Sequence, residues 1–520
     1  MPTSSRPRVQ PVPDASSDHG LIGVIDRAAR YGDRTAIIDA DGQHSYRDLI
    51  EASRVVAREL LAGTTDLNER RVVFLTPPDF SYVATLWGIW QAGGIAVPLS
   101  NGQPPAECDH VISDSRAAAV VASPHLEPAI RPLADARGAR VVRAILPDSD
   151  GTAGDSIALP RVEPGRRALM LYTSGTTSRP KGVVLAHRNI RAQVESLATA
   201  WEWSEDDRIL NVLPLNHTHG LINVLTSALW SGAVCEMHTG FDAARVWQRI
   251  AEGGLTLFMA VPTIYAKLIN AWEAAGPEQR AAFSDGCRRL RLMVSGSAAL
   301  PVTTLERWRT ITGHLLLERY GMTEIGMALS NPLRGERRPG FVGVPLPRVD
   351  VRLVDEQGGE LGPDVAGEIE VRGPGVFLEY WGRPGATAEA FRNGWFRTGD
   401  IAVVEKGMYR ILGRRSVDII KTGGHKVSAL EIEEVLRTHP DVRECAVVGV
   451  EDPEWGERVA AVAVLEEGSH LTLDGLRAWA ADRLARHKIP TRLTLVDELP
   501  RNALGKVVKA RVKELAILFE

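Results

Sequence analysis

Cysteine is scarce in this chain. Among 520 residues only Cys108, Cys235, Cys287 and Cys445 occur, far apart and with no C-x-x-C pair. That spacing argues against a disulfide framework or a cysteine-built zinc site, and it suits a reducing cytoplasm. Each thiol is expected to be buried and inert. An excess of one charge is also missing. The 61 Lys+Arg and 65 Asp+Glu leave a formal net charge of −4, which gives no general pull toward nucleic acid or an anionic membrane. No apolar run reaches the about 18 residues needed to span a bilayer, and no internal repeat is visible. The opening MPTSSRPRVQPVPDASSDHG lacks the apolar core of a secretory signal, and its prolines break any amphipathic helix. A disordered tail is expected over residues 1–20.

The phosphate-loop pattern G-x-x-x-x-G-K-[ST] is absent too. In its place stands YTSGTTSRPKG, Tyr172 to Gly182. Lys181 precedes a glycine, and no Ser or Thr follows it. The stretch still has the parts of a phosphate grip. Gly175 permits a tight turn, the hydroxyls of Thr173, Ser174, Thr176, Thr177 and Ser178 can donate, and Lys181 adds a mobile charge. Short apolar runs flank it, Arg167–Tyr172 and Val183–Ala186, so a strand–loop–strand hairpin is expected. On composition alone an ordinary Ser/Thr-rich turn explains the loop equally well.

A chain of this length exceeds one simple core. Up to about residue 165 helical and strand patterns alternate: Leu49–Leu61 helix, Arg71–Leu75 strand, Tyr82–Ala92 helix, Ile95–Leu99 strand. The alternation recurs through Arg208–Leu213, Ala233–Met237, Leu257–Ala260 and Leu290–Val294, and it indicates sheets covered by helices. From Val342 the texture changes to antiparallel strands with Gly/Asp turns: Val349–Val354, Gly367–Val371 and Ile401–Tyr409. About a hundred residues of mixed pattern follow (Ala429–Leu436 helix, Cys445–Gly449 strand, Val459–Leu465 strand, Leu476–Leu484 helix), the size of a small domain. The boundary is expected near Leu412–Asp418, giving domains 21–414 and 415–520.

Five more stretches carry chemistry: SGSAALP at 295–301, LLERYGMTEIGM at 316–327, GWFRTGDI at 394–401, GRRSVDIIKTGGHKVSALEIEE at 413–434 and PRNALGK at 500–506. With YTSGTTSRPKG, and in this order, they resemble the adenylate-forming superfamily of acyl-CoA synthetases, peptide-synthetase adenylation domains and luciferases. The resemblance runs from about residue 20 to the end. It implies an α/β fold: a large N-terminal domain of stacked α/β sheets with a β-barrel-like subdomain, and a small mobile C-terminal α+β lid. It implies ATP, Mg²⁺ and CoA as cofactors. By resemblance Thr173, Ser174, Gly175, Thr176, Thr177 and Lys181 grip phosphate. Ser295, Gly296 and Ser297 lie against the adenine, Tyr320 stacks on it, and Gly321 belongs to the same nucleotide site. Thr323 reaches the α-phosphate, Glu324 holds Mg²⁺, and Asp400 accepts from the ribose hydroxyls. Either Arg414 or Arg415 contacts ribose or phosphate, and the two adjacent arginines cannot be told apart. Gly423 and Gly424 line a pantetheine channel, and Lys506 is the catalytic lysine of the first half-reaction. Ser178 replaces a usual glycine.

The acid is narrowed by Arg319, just before Y-G-x-T-E, where most members carry a small or neutral residue. A guanidinium in an acyl pocket is costly to bury without an anion, and its fork suits a second carboxylate. An ion pair with Glu318 or Glu324 is the competing explanation. PLNHTHGL at 214–221 adds His217 and His219 as polar lining, and Met322 lines the same pocket. These stretches, with FMAVPTIYAKL and RLMVSGSAALP, look like the malonyl-CoA synthetases, some of which take methylmalonate. His425 departs from a frequent Tyr. The implied reaction activates a small dicarboxylic acid as acyl-adenylate and transfers it to CoA. The rival within the superfamily is recruitment to another acid or acceptor: an amine, a carrier protein, or nitrite. A nucleotide-binding sensor without chemistry is the rival of another class, and the joint presence of Lys181, Glu324, Asp400 and Lys506 speaks against it.

Overall fold

A computed structural model describes residues 22–144, 158–173, 180–502 and 505–518. The first long helix runs Tyr46–Leu61. Ser45 starts it: its side chain accepts from the Asp48 amide, and Asp48 accepts from the Ser45 amide, so two orphan donors are met reciprocally. Leu49, Ile50, Val56, Ala57, Leu60 and Leu61 form its buried stripe. The next helix, Phe80–Gln91, begins at Asp79, whose carboxylate accepts from the Ser81 and Tyr82 amides. Every residue of it except Ser81 is buried, as expected for a helix apolar on nearly all faces. It joins two sheets. The Trp90 indole donates to the Ala168 carbonyl at 2.8 Å, and the Tyr82 hydroxyl donates to the Leu215 carbonyl at 2.7 Å.

Those sheets are a nine-stranded and a seven-stranded one among the described residues. The first runs, edge to edge, Val344–Pro345, Gly326–Ser330, Leu317–Met322, Leu292–Ser295, Leu257–Ala260, Arg208–Asn211, Val234–Met237, Thr35–Asp39 and Gly42–Ser45. Its six central strands are parallel. The second runs Glu379–Tyr380, Lys181–Ala186, Arg167–Thr173, Ile95–Pro98, Arg71–Leu75, Ala119–Ala122 and Arg140–Arg143. One hydrophobic cluster spans both, from Val72 and Phe74 to Ile209 and Leu257.

An antiparallel five-stranded sheet follows, built on Asp350–Val354, Gly367–Arg372 and Trp395–Glu405. Here one expectation is corrected. Ile401–Tyr409 is not one strand: Trp395–Glu405 and Met408–Arg414 form a hairpin, because Lys406 and Gly407 both take positive φ, 52° and 79°, and turn the chain. The last sheet pairs His425–Ser428, Ile419–Thr422, Gly456–Leu465 and Val442–Asp452, with Arg492–Leu495 beside Gly456–Leu465. It has its own core around Ile432, Val447 and Ala461. The helix expected at Leu476–Leu484 lies at Leu473–Ala480, since Thr472 caps it by accepting from the Gly475 amide.

Candidate active site

The parallel strands deliver three segments to one place. Pro214–His219 follows Arg208–Asn211, Ser295–Pro301 leaves the end of Leu292–Ser295, and Leu317–Met322 carries Arg319 and Tyr320 alongside. Open α/β sheets bind ligands in this crevice, outside the carboxyl ends of their strands.

Alternation along a strand sends Glu318 and Arg319 to opposite sides. Glu318 accepts the Leu300 amide at 3.1 Å, and burial, reinforced by the Glu434 carboxylate, pushes its pKa up to about 8. Glu324 accepts the Tyr380 hydroxyl instead, at 2.9 Å. Neither carboxylate pairs with Arg319, so the competing explanation for that residue is removed. Arg319 is 4% exposed. Its polar contact is a long one, 3.5 Å from Nη2 to Ser297 Oγ, and its Nε has no partner among the described residues. Desolvation alone pushes its pKa down to about 9. Leaving a buried guanidinium unpaired is costly, and a neighbouring anion would offset that cost.

Ser297 holds the left-handed region, φ 71°, and its Oγ lies 3.2 Å from His219 Nδ1. Arginine can only donate. The Ser297 hydroxyl therefore accepts from Arg319, and its contact with His219 Nδ1 can run in either direction, as the imidazole tautomer sets it, with Nε2 on the far side of the ring. That Nε2 is buried and without a partner among the described residues. Burial, then Arg319 and Lys506, lowers the His219 pKa. Burial and Lys506 take His217 down to about 4. Both imidazoles are neutral near pH 7 and present dipoles rather than charge. His219 opens a π-helix, His219–Thr226, a winding frequent at functional sites.

At the other end, the Tyr320 hydroxyl donates to Asp400 Oδ2 at 2.6 Å. Arg414 Nε donates to Asp400 Oδ1 at 3.0 Å, and its Nη2 to the Thr398 carbonyl at 3.1 Å. Each Asp400 oxygen keeps a lone pair for a further donor. Arg415 turns away to Glu368, 3.1 Å, so the geometry separates the two arginines: Arg414 faces the site. Gly321 serves the backbone, since a Cβ there would lie 2.1 Å from the Gly326 carbonyl oxygen across the hairpin. Ser295 Oγ is buried without a partner among the described residues.

Thr173 and Lys181 are opposite each other in the hairpin Arg167–Thr173/Lys181–Ala186, the arrangement expected there. Ser174, Gly175, Thr176, Thr177 and Ser178 lie outside the described residues. Lys181 Nζ stands 5.1 Å above the Tyr380 ring, and Tyr380 in turn binds Glu324. Tyr380 thus links two expected site residues, yet sequence reasoning missed it. Its only signal was an aromatic pair, Tyr380–Trp381. Burial raises the Glu324 pKa, a shift that a nearby divalent cation reverses. No cluster of three metal-ligating side chains occurs among the described residues. A single buried carboxylate fits a cation held mostly by phosphate oxygens and water. Thr323 lines a small gap with Thr218, Asn189 and Gln193. Met322 is half-buried and packs against the main core.

Lys506 comes from the small domain. Its side chain is exposed overall, but its pKa is lowered by burial first and then by Arg319 and Arg414, against Asp400. Its ammonium therefore lies within the field of both ends of the site. Gly423 and Gly424 do not: they are exposed, in the turn between Ile419–Thr422 and His425–Ser428, with positive φ of 53° and 81°. Gly423 abuts the Trp455 ring, and the neighbouring Lys426 is paired with Glu356 at 2.7 Å.

Two family models match the chain: AMP-binding enzyme over residues 24–381, and AMP-binding enzyme C-terminal domain over 431–506. The mitochondrial malonate–CoA ligase of Mus musculus is 46% identical over 96% of this chain and 91% of its own length. The malonate–CoA ligase of Arabidopsis thaliana is 39% identical over 93% and 86%. The crystal structure of ATP-bound MatB from Rhodopseudomonas palustris superposes with a TM-score of 0.86 at 34% identity, covering 95% of this chain and 100% of that one.

Proposed function

Since the chain belongs to the AMP-binding enzyme family and is an AMP-forming ligase of the acyl-CoA synthetase type, we propose that its acid is malonate and its acceptor CoA. One observation carries the choice of acid: Arg319 is buried, without a carboxylate partner, and within the electrostatic reach of Lys506. A short diacid fits between those two cations. Its distal carboxylate meets the Arg319 fork beside His219, and its reacting carboxylate lies under Lys506. That carboxylate attacks the α-phosphorus of ATP and pyrophosphate leaves. A thiolate then attacks the acyl carbon and AMP leaves. Lys506, Lys181 and Thr323 neutralise and position charge as it develops. Mg²⁺, bound at Glu324, would offset the polyphosphate charge. Tyr320, Asp400 and Arg414 would hold the nucleoside, with Ser295–Ser297 against the base.

Lys506 and the Gly423–Gly424 turn belong to one small domain and face different surroundings. We therefore assign 415–520 as a unit that rotates between half-reactions. No helix among the described residues is long and apolar enough to cross a membrane. The four buried thiols suit a reducing compartment, and within that class we propose the cytoplasm; recovery in a mitochondrial matrix on cell fractionation would overturn it. The test of function is pyrophosphate release with malonate, methylmalonate, acetate and nitrite, each with and without CoA. CoA-dependent turnover with malonate and little with acetate supports the reading. Equal use of acetate, or turnover with nitrite that has no need of CoA, sinks it.

A further inference from the structure

The helix Val302–Thr312 begins directly after the SGSAALP segment, and Pro301 stands at its cap position with no side-chain acceptor to offer. Its first amide, Val302, is one of the orphan donors of a helix start. It is met from the other domain: Val302 N–H donates to Glu434 Oε2 at 3.1 Å. Glu434 is on the small-domain helix Ala429–Leu436. Its second oxygen is held by Arg437 at 2.7 Å, which aims the first at the large domain. Arg437 also binds Glu433 at 3.0 Å, Glu433 is paired with Lys509, and Lys509 lies 3.5 Å from Asp418. Asp418 accepts the Arg414 amide at 3.0 Å. An unbroken polar path thus joins Arg414 in the nucleotide site to the cap on Val302.

We propose that Glu434 is a positioning residue for adenylation: by capping the Val302–Thr312 helix across the domain boundary, it holds the small domain where Lys506 can act, and it lets go for thioester formation. This rests on the function proposed above. Negative charge at a helix N-terminus is favoured by the aligned peptide dipoles, and because this contact spans the two domains, it breaks when the small domain moves away. Loss of the cap shifts the balance between domain arrangements by the free energy of that contact. It touches no reacting atom.

The Thr263/Gly505 contact supplies a readout that needs no substrate. A Cβ on residue 505 would lie 3.8 Å from the Thr263 Cβ, within the Cβ spacing of a disulfide; Gly505 has φ 75°, so a cysteine there carries backbone strain and every rate is compared with the same double-cysteine parent, and the four native thiols are buried. In a Thr263→Cys/Gly505→Cys background, oxidation traps the lysine loop over the site. Glu434→Ala should slow trapping by roughly tenfold, as a lost cap would, while Glu434→Gln, which keeps an acceptor oxygen, stays within about threefold. In the native background, Glu434→Ala should slow ATP–pyrophosphate exchange by a similar factor, and the single-turnover chase of enzyme-bound adenylate with CoA should not slow. Trapping at the unsubstituted rate, or exchange and chase slowed equally, overturns the proposal. If the parent enzyme is inert with malonate, the proposed acid is wrong, and trapping alone decides the latch.

Discussion

A Cβ on residue 296 would lie 2.5 Å from the guanidinium carbon of Arg319. Glycine at 296 is thus a condition for the arginine's place. Gly296→Ala should displace Arg319 and mimic Arg319→Ala. For either, kcat/KM for malonate should fall by about 10²–10³, the size of a lost buried charge contact, while the slow reaction with acetate should not fall with it. Steady-state kinetics with both acids check this, and a parallel fall with acetate would refute it.

Lys506→Ala should lower pyrophosphate exchange by about two to three orders of magnitude, as removal of one transition-state donor does. The pH profile carries a sharper test. Burial and Arg319 lower the Lys506 pKa, so the cation is lost, and exchange declines, at a pH below the ordinary lysine range. Arg319→Ala removes a repelling charge and should move that alkaline limb upward. An unmoved limb would mean that another group titrates.

Glu324→Gln should raise the Mg²⁺ concentration for half-maximal exchange by about 10–100-fold. Tyr380→Phe should have a smaller effect of the same sign, because Tyr380 only orients one carboxylate oxygen. A magnesium titration of each variant measures it; unchanged requirements would place the cation elsewhere.

Arg414→Ala should raise KM for ATP by about tenfold, since a charge-assisted contact of about 1.5 kcal/mol or more is lost. Arg415→Ala should leave KM for ATP unchanged, because Arg415 pairs with Glu368 instead, and its effect should be on stability, since Glu368 is buried. Equal effects on ATP would mean both arginines reach the nucleotide.

The architecture was legible where periodicity was clean. Arg71–Leu75 and Leu257–Ala260 are strands within their expected bounds, because each is an apolar run closed by turn signals. Ile401–Tyr409 misled because Lys406 adopts a left-handed turn that its residue type does not announce. Arg319 stood out by its place before Y-G-x-T-E, where the resembling family mostly has a small or neutral residue, but its freedom from Glu318 depends on strand alternation and on the Leu300 amide that occupies Glu318. Arg414 and Arg415 were indistinguishable in sequence: only the pairing of Asp400 with Arg414 across the hairpin separates them. Tyr380 and Glu434 meet partners distant in sequence: no local motif marks Tyr380, and Glu434 closes the quoted 413–434 stretch without anything there naming its partner.

The helix Phe80–Gln91 has a mechanical meaning. It is bonded at one end to the seven-stranded sheet through Trp90 and at the other to the Pro214–His219 loop through Tyr82, inside a core common to both sheets. The helix therefore ties the layer that carries Lys181 to the layer that carries Arg319. With the rotation proposed for 415–520, the movement falls on the short link between Arg414 and Ile419, and changes that soften this helix should blur substrate choice before they unfold the protein.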